Sequence, residues 1–184
     1  TGSIDGDAPS KPFGDDSEYA FSPDGKTVYF GVRNLRAGEP WSTNFDIYSV
    51  PADGSAAPTN HTVDNKAMDA YPLPSRDGKT LYYLAMTRPG NEADRFGIWA
   101  LDLASGQRRE IASDWDRSAS ALKESVDGKT LYTTTDDLGQ HPLFAIDVAT
   151  GKVSKLVSDG QVRGFEVGDK ALLVARNDLR HPTD

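Results

Sequence analysis

Ser22-Pro-Asp-Gly-Lys-Thr-Val-Tyr-Phe30 returns twice in this chain, as Ser75-Arg-Asp-Gly-Lys-Thr-Leu-Tyr-Tyr83 and as Ser125-Val-Asp-Gly-Lys-Thr-Leu-Tyr-Thr133. The glycines Gly25, Gly78 and Gly128 stand 53 and 50 residues apart (25 to 78, 78 to 128). Self-similarity at such a period marks an array of repeated units, and the way one unit packs on the next decides the fold.

Working outward from the motif, each unit reads as four short strands. The first precedes Asp-Gly: Glu18 to Ser22, Ala70 to Pro74 and Ala119 to Lys123. Asp-Gly itself predicts a two-residue type I′ hairpin, a turn with positive φ at both central positions. The second strand follows at once, in Thr27-Val-Tyr-Phe-Gly-Val32, Thr80-Leu-Tyr-Tyr-Leu-Ala85 and Thr130-Leu-Tyr-Thr-Thr134. These runs are almost continuously apolar, the pattern of a strand covered on both faces. The third strand is aliphatic, aromatic, small, aliphatic in every copy: Ile47-Tyr-Ser-Val50, Ile98-Trp-Ala-Leu101, Leu143-Phe-Ala-Ile146. After a second turn at Gly54, Gly106 or Gly151 comes a brief polar strand, Ala57 to Thr62, Arg108 to Ala112 or Val153 to Val157, of the kind that protects a sheet edge. A fourth unit begins with Val162 to Glu166 and Lys170 to Arg176.

Four-stranded antiparallel units of this length arranged about an axis describe an all-β β-propeller. The chain is expected to be a propeller fragment of three complete blades plus a partial fourth. Blade 1 is placed at 17–62, blade 2 at 63–112, blade 3 at 113–157 and partial blade 4 at 158–184, with 1–16 at the edge of a preceding blade or in a linker. Cutting a ring of blades uncovers two faces, so aromatic residues such as Tyr29 and Tyr82 or their neighbours are expected at the surface, and the fragment is expected to self-associate.

The 184 residues suffice for a domain with its own core. Net charge of -8 argues against nucleic acid, because phosphate binding needs clustered Lys and Arg. Without cysteine there are no disulfides, catalytic thiolates or sulfur-based zinc sites. No apolar run reaches the roughly 20 residues of a membrane helix.

Up-and-down strand order puts the two tight turns of every unit on one face. The longer connections, from second to third strand and from blade to blade, fall on the other. Specific contacts tend to sit on long loops held by a rigid frame, which nominates Arg36, Glu39, Trp41, Arg88, Arg95, Trp115, Asp137, His141, Arg180 and His181 as a contact face. Each also reads as an ordinary loop side chain, and Trp41 and Trp115 as packing against the rim of their own blades.

Reaction chemistry is not visible. A Gly-x-Ser-x-Gly elbow is absent, and His61, His141 and His181 have neither triad nor metal-clamp spacing. Asp5-Gly-Asp7 and Asp136-Asp137 do not complete a calcium loop, and turn formation explains the repeated Asp. Asn60-His-Thr62 is a formal glycosylation triplet that also reads as the end of an outer strand. Catalytic residues, metals and cofactors are therefore expected to be none. A channel-bound metal would have chiefly Glu18, Glu124 and Glu166 as ligands and ranks last.

The repeated Ser-Pro-Asp-Gly-Lys-Thr with Val-Tyr-Phe and Asp46-Ile-Tyr48 resembles the propeller repeats of TolB-like proteins and of the prolyl oligopeptidase family. Asp7 to Gly25 and Pro40-Trp-Ser-Thr-Asn-Phe-Asp-Ile-Tyr48 look like middle blades of its acylaminoacyl-peptidase and dipeptidyl-peptidase branch, and Ala175-Arg-Asn-Asp-Leu-Arg-His-Pro182 is similar to the stretch before the catalytic domain. The resemblance implies a seven- or eight-bladed propeller joined to a C-terminal α/β-hydrolase domain, absent here, that carries a Ser-Asp-His triad. It implies a non-catalytic role for this chain: docking that domain and gating entry of short peptide substrates. The glutamate pair that binds peptide amino termini in some dipeptidyl peptidases has no match here. The alternative is a TolB-like module that binds a protein through the same face. The resemblance implies a periplasmic or secreted setting in a bacterium.

Overall fold

The computed structural model describes residues 4, 6–8, 18–34 and 42–183. Its described residues form fifteen strands in four antiparallel sheets. The first sheet holds β1 (Gly6–Asp7), β2 (Tyr19–Phe21), β3 (Thr27–Asn34), β4 (Phe45–Pro51) and β5 (Thr59–Asn60). The second holds β6 (Asp69–Pro74), β7 (Thr80–Ala85), β8 (Gly97–Asp102) and β9 (Arg108–Ile111). The third holds β10 (Lys123–Glu124), β11 (Thr130–Thr134), β12 (Leu143–Asp147) and β13 (Val153–Val157). The fourth is the pair β14 (Gln161–Val167) and β15 (Leu172–Asn177).

Within the second and third sheets the strands lie in sequence order, as in β6-β7-β8-β9, with Leu81 opposite Leu101 and Leu84 opposite Ile98. The architecture is three four-stranded propeller blades and two strands of a fourth. Gly6–Asp7, within the stretch expected at the edge of a preceding blade or in a linker, pairs with Arg33 and Asn34 of β3, on the same edge as β2. The outer strand β5 and the inner strand β10 shrink to two residues each.

The repeated turn differs from the expected type I′. Gly25, Gly78 and Gly128 have φ of 70, 71 and 72°, whereas the aspartates before them do not have positive φ. Gly25 N–H donates to Ser22 O, and the hairpin closes with Ser22 N–H donating to Thr27 O. This is a four-residue loop built on a type I turn, with only the glycine left-handed. The other motif residues explain themselves. In the second copy the Ser75 hydroxyl donates to Asp77 Oδ1 at 2.7 Å and accepts from Thr80 N–H at 2.9 Å, while Asp77 Oδ1 also accepts from Lys79 N–H at 3.0 Å. The same bonds recur at Ser22-Asp24 and Ser125-Asp127. A type I turn leaves these N–H groups without backbone partners, and Ser-x-Asp-Gly-Lys-Thr supplies acceptors for them.

Sheets stack face to face, and each joint has its own core. Tyr29 and Ile47 meet Leu81, Tyr83, Ala85 and Leu101 in the first joint. Tyr82, Leu84, Ile98, Ala100 and Ile111 meet Ala119, Leu122, Leu131 and Ile146 in the second. Leu143 meets Val162 and Phe165 in the third. Alternate residues of β7 thus serve opposite joints, which is why its sequence shows no polar face. Tyr29 and Tyr82 are buried in these joints, contrary to the expectation that they lie on uncovered faces. Tyr19, Phe21 and Leu173 are among the large hydrophobic residues that are exposed instead. Tyr19 flanks a groove of about 420 Å³ with Val28, Phe30 and Val50 on the outer face of the first sheet.

Candidate contact face

Both tight turns of each sheet lie at one end. Ala52, Leu103 and Val148 N–H, from the second turns, donate to Lys26, Lys79 and Lys129 O in the first. The long connections lie at the other end and are tied to one another: Gly90 N–H donates to Thr43 Oγ1, Phe96 N–H to Ser118 Oγ and His141 N–H to Gly160 O.

Of the ten nominated residues, Arg36, Glu39 and Trp41 lie outside the described residues. The others are placed but do not converge on one point. Arg88 donates through Nε to Asp94 Oδ1 at 2.7 Å, and Asp94 Oδ2 accepts from Thr87 and Arg88 N–H at 2.9 Å each, closing the β7–β8 loop. Desolvation pushes the Asp94 carboxyl up, but the Arg88 guanidinium and the loop N–H groups outweigh it and hold it far below the usual carboxylate range. Arg95 pairs with Glu110 at 2.5 Å beside Gly97, where a Cβ would sit 2.6 Å from Glu110 Oε1. A β-carbon there would push the Glu110 carboxylate aside.

Asp137 is a clamp. It accepts from Lys155 Nζ at 2.5 Å and from Arg117 Nε and Nη2 at 3.0 and 2.9 Å, which join the second-to-third-blade connection to β13 and lower its carboxyl. Trp115 packs on Phe144, ring centroids 5.1 Å apart, against the core of the second joint. Its indole is half-buried, so it serves the rim of its own blade. His141 Nδ1 lies within hydrogen-bond distance of Asp136 Oδ1, 2.9 Å away. Arg180 and His181 point outward, their N–H groups held by Asp178 Oδ1 at 2.7 and 2.9 Å. Those bonds, the Arg180 N–H first, lower the Asp178 carboxyl.

Two residues on this face escaped the sequence reading. Leu138 is 91% exposed at the tip of the β11–β12 connection, with φ of 51°, and Leu179 is fully exposed at the tip that follows β15. The signal was the Asp-Leu-Gly and Asp-Leu-Arg tips, in which a large apolar residue stands where a polar one is usual.

Among the described residues no three Asp, Glu or His side chains gather as metal ligands. Glu124 Oε2 accepts from Arg76 N–H at 2.6 Å, and Glu166 pairs with Lys123 at 2.6 Å, so both bind the preceding blade. The Asn60 amide, in the formal glycosylation triplet, donates to the buried Asp46 at 2.8 Å.

No family model matches the chain. Over 94% of its length it is 34% identical to a dipeptidyl-peptidase 5 of Arthroderma otae, 26% of which it covers. It therefore spans about a quarter of the length of the curated relatives it matches. Among solved structures, the β-propeller domain of the Trilobed protease from Pyrococcus furiosus superimposes with a TM-score of 0.68 at 15% identity, covering 93% of this chain and 49% of that one. A putative TolB from Agrobacterium tumefaciens gives 0.68 at 19% identity, covering 88% and 54%. The chain is a β-propeller segment, related in sequence to dipeptidyl-peptidase 5 and in fold to the propellers of peptidases and TolB.

Proposed function

We propose that this chain is the non-catalytic propeller portion of a serine peptidase of the dipeptidyl- or acylaminoacyl-peptidase kind. It docks an α/β-hydrolase domain through the long-connection face and restricts entry to short peptides. One observation carries the reading: the likeness to dipeptidyl-peptidase 5 runs through 94% of the chain yet leaves 74% of that protein unmatched (100 less 26). The leucine tips Leu138 and Leu179 suit docking, because exposed apolar side chains on a hydrogen-bonded frame lose little entropy when covered. Arg180 and His181 follow Leu179 directly and supply polar groups next to it.

Sequencing the reading frame beyond Asp184 tests this. A Gly-x-Ser-x-Gly motif followed by Asp and His is expected. A stop codon instead favours the second reading, a TolB-like protein-binding module, which the TM-score of 0.68 to a putative TolB supports.

A further inference from the structure

Two carboxylates are enclosed in the first joint. Asp46 on β4 is 2% exposed and Asp69, the first residue of β6, is 1% exposed. Phe45 and Met68 form a parallel bridge, one residue before each aspartate. Successive side chains on a strand alternate faces, so the residues just after a parallel bridge project to one side together. Each carboxylate has one satisfied oxygen. Asn60 Nδ2 donates to Asp46 Oδ2 at 2.8 Å, and Asn65 Nδ2 donates to Asp69 Oδ1 at 2.9 Å. The remaining oxygens, Asp46 Oδ1 and Asp69 Oδ2, are buried without a hydrogen-bond partner.

The repeat does not demand acids here. The same register in the second joint brings Gly97 beside Ala119, whose N–H donates to Phe96 O. In the third it brings Pro142 beside Val162, whose N–H donates to His141 O. Only the first joint carries a titratable pair.

The charged and titratable neighbours are few. Lys66 faces Asp46 from the connection between the sheets. Arg108 of β9 faces Asp69, but its guanidinium is held by His61 O at 2.5 Å and by Asp64 at 3.7 Å. Tyr83 of β7 and the Thr62 hydroxyl lie beside Asp69. The His61 imidazole is bonded to Ser49 Oγ at 2.7 Å. Among the described residues neither carboxylate forms an ion pair, and two ionised acids with orphaned oxygens are costly to bury side by side.

We propose that Asp46 and Asp69 share a single proton across the joint between the first two sheets, and that losing this proton loosens the joint. A single proton held on the pair removes one buried charge and turns an orphaned acceptor into a donor. Burial raises Asp69 to about 7, with Asn65 and Thr62 opposing and the Asp46 charge adding to it, and burial also raises Asp46. The folded carboxyl therefore holds its proton where the unfolded one has lost it. Stability falls as pH rises from about 4 to about 7 and levels off beyond.

Thermal melts of the purified chain between pH 5 and pH 8 test this, with Asp69→Asn as comparison. The wild-type melting temperature falls by roughly 10 °C across the interval, and the neutral variant is nearly flat. A flat wild-type curve, or an undiminished slope in Asp69→Asn, overturns the proposal. Carbonyl-detected NMR titration is independent of whether that variant folds. One aspartate carboxyl titrates near pH 7 in the wild type; none doing so overturns the proposal.

Discussion

The Ser-x-Asp-Gly-Lys-Thr turns show how much one hydroxyl does. Ser125 Oγ donates to Asp127 at 2.7 Å and accepts from Thr130 N–H at 2.9 Å. Ser125→Ala removes both, and loss of a net hydrogen bond with an N–H left unpaired costs about 1–2 kcal/mol. A denaturation midpoint unchanged in that variant would show that water replaces the serine. The turn aspartates Asp24, Asp77 and Asp127 have lowered carboxyls, the serine hydroxyl first and the lysine N–H next among the causes. Their stabilisation is present above the unfolded carboxyl value near 4 and is lost as pH falls below it. Asp69 acts with the opposite sign on the neutral side. The melting temperature is therefore expected to peak near pH 4–5, a maximum that a pH series of melts locates. Sequence reveals where these turns are but not their type. Asp-Gly suits both a type I′ turn and a type I turn with a left-handed glycine, and the serine five residues before threonine selects the second.

At the scale of elements, the joints between sheets carry the core. Leu131 on β11 is wholly buried in the second joint, between Leu84, Ile98 and Ile146. Leu131→Ala is expected to destabilise the chain by roughly 2–5 kcal/mol, as buried leucines do when truncated. Chemical denaturation measures it, and a loss below about 1 kcal/mol would mean the sheets are not packed there. The strands and their order were legible because the repeat gives three copies of the same evidence. The facing of Tyr29 and Tyr82 was not, because both surfaces of an inner strand are apolar and sequence does not say which neighbour covers which. The Asp46–Asp69 pair was also illegible: 23 residues separate the two (46 to 69), and a single parallel bridge between sheets makes them neighbours. At the contact face, sequence picked out charged and aromatic loop residues. Of those the structure describes, Arg88 braces its own loop through Asp94, whereas Asp137 ties the neighbouring connection to β13 through Arg117 and Lys155.

For the whole molecule, the outer face of the first sheet and the edge of β15 have no described partner strand or sheet. Tyr19, Phe21 and Leu173 are exposed on these surfaces. Light scattering of the isolated chain is expected to show a mass that grows with concentration, and Phe21→Ser to reduce that growth. A strict monomer at high concentration would contradict it. Docking is tested separately in the full-length protein: Leu138→Asp and Leu179→Asp together should weaken interdomain contact and admit longer peptides, with the fold intact by circular dichroism. Unchanged size selection would remove these tips from the interface. On the proposed reading these 184 residues frame a reaction and do not perform it. The most direct measurement is fluorophosphonate labelling of the full-length protein followed by peptide mapping. The account predicts one labelled serine outside residues 1–184. A labelled serine within them, or none at all in active protein, would contradict it.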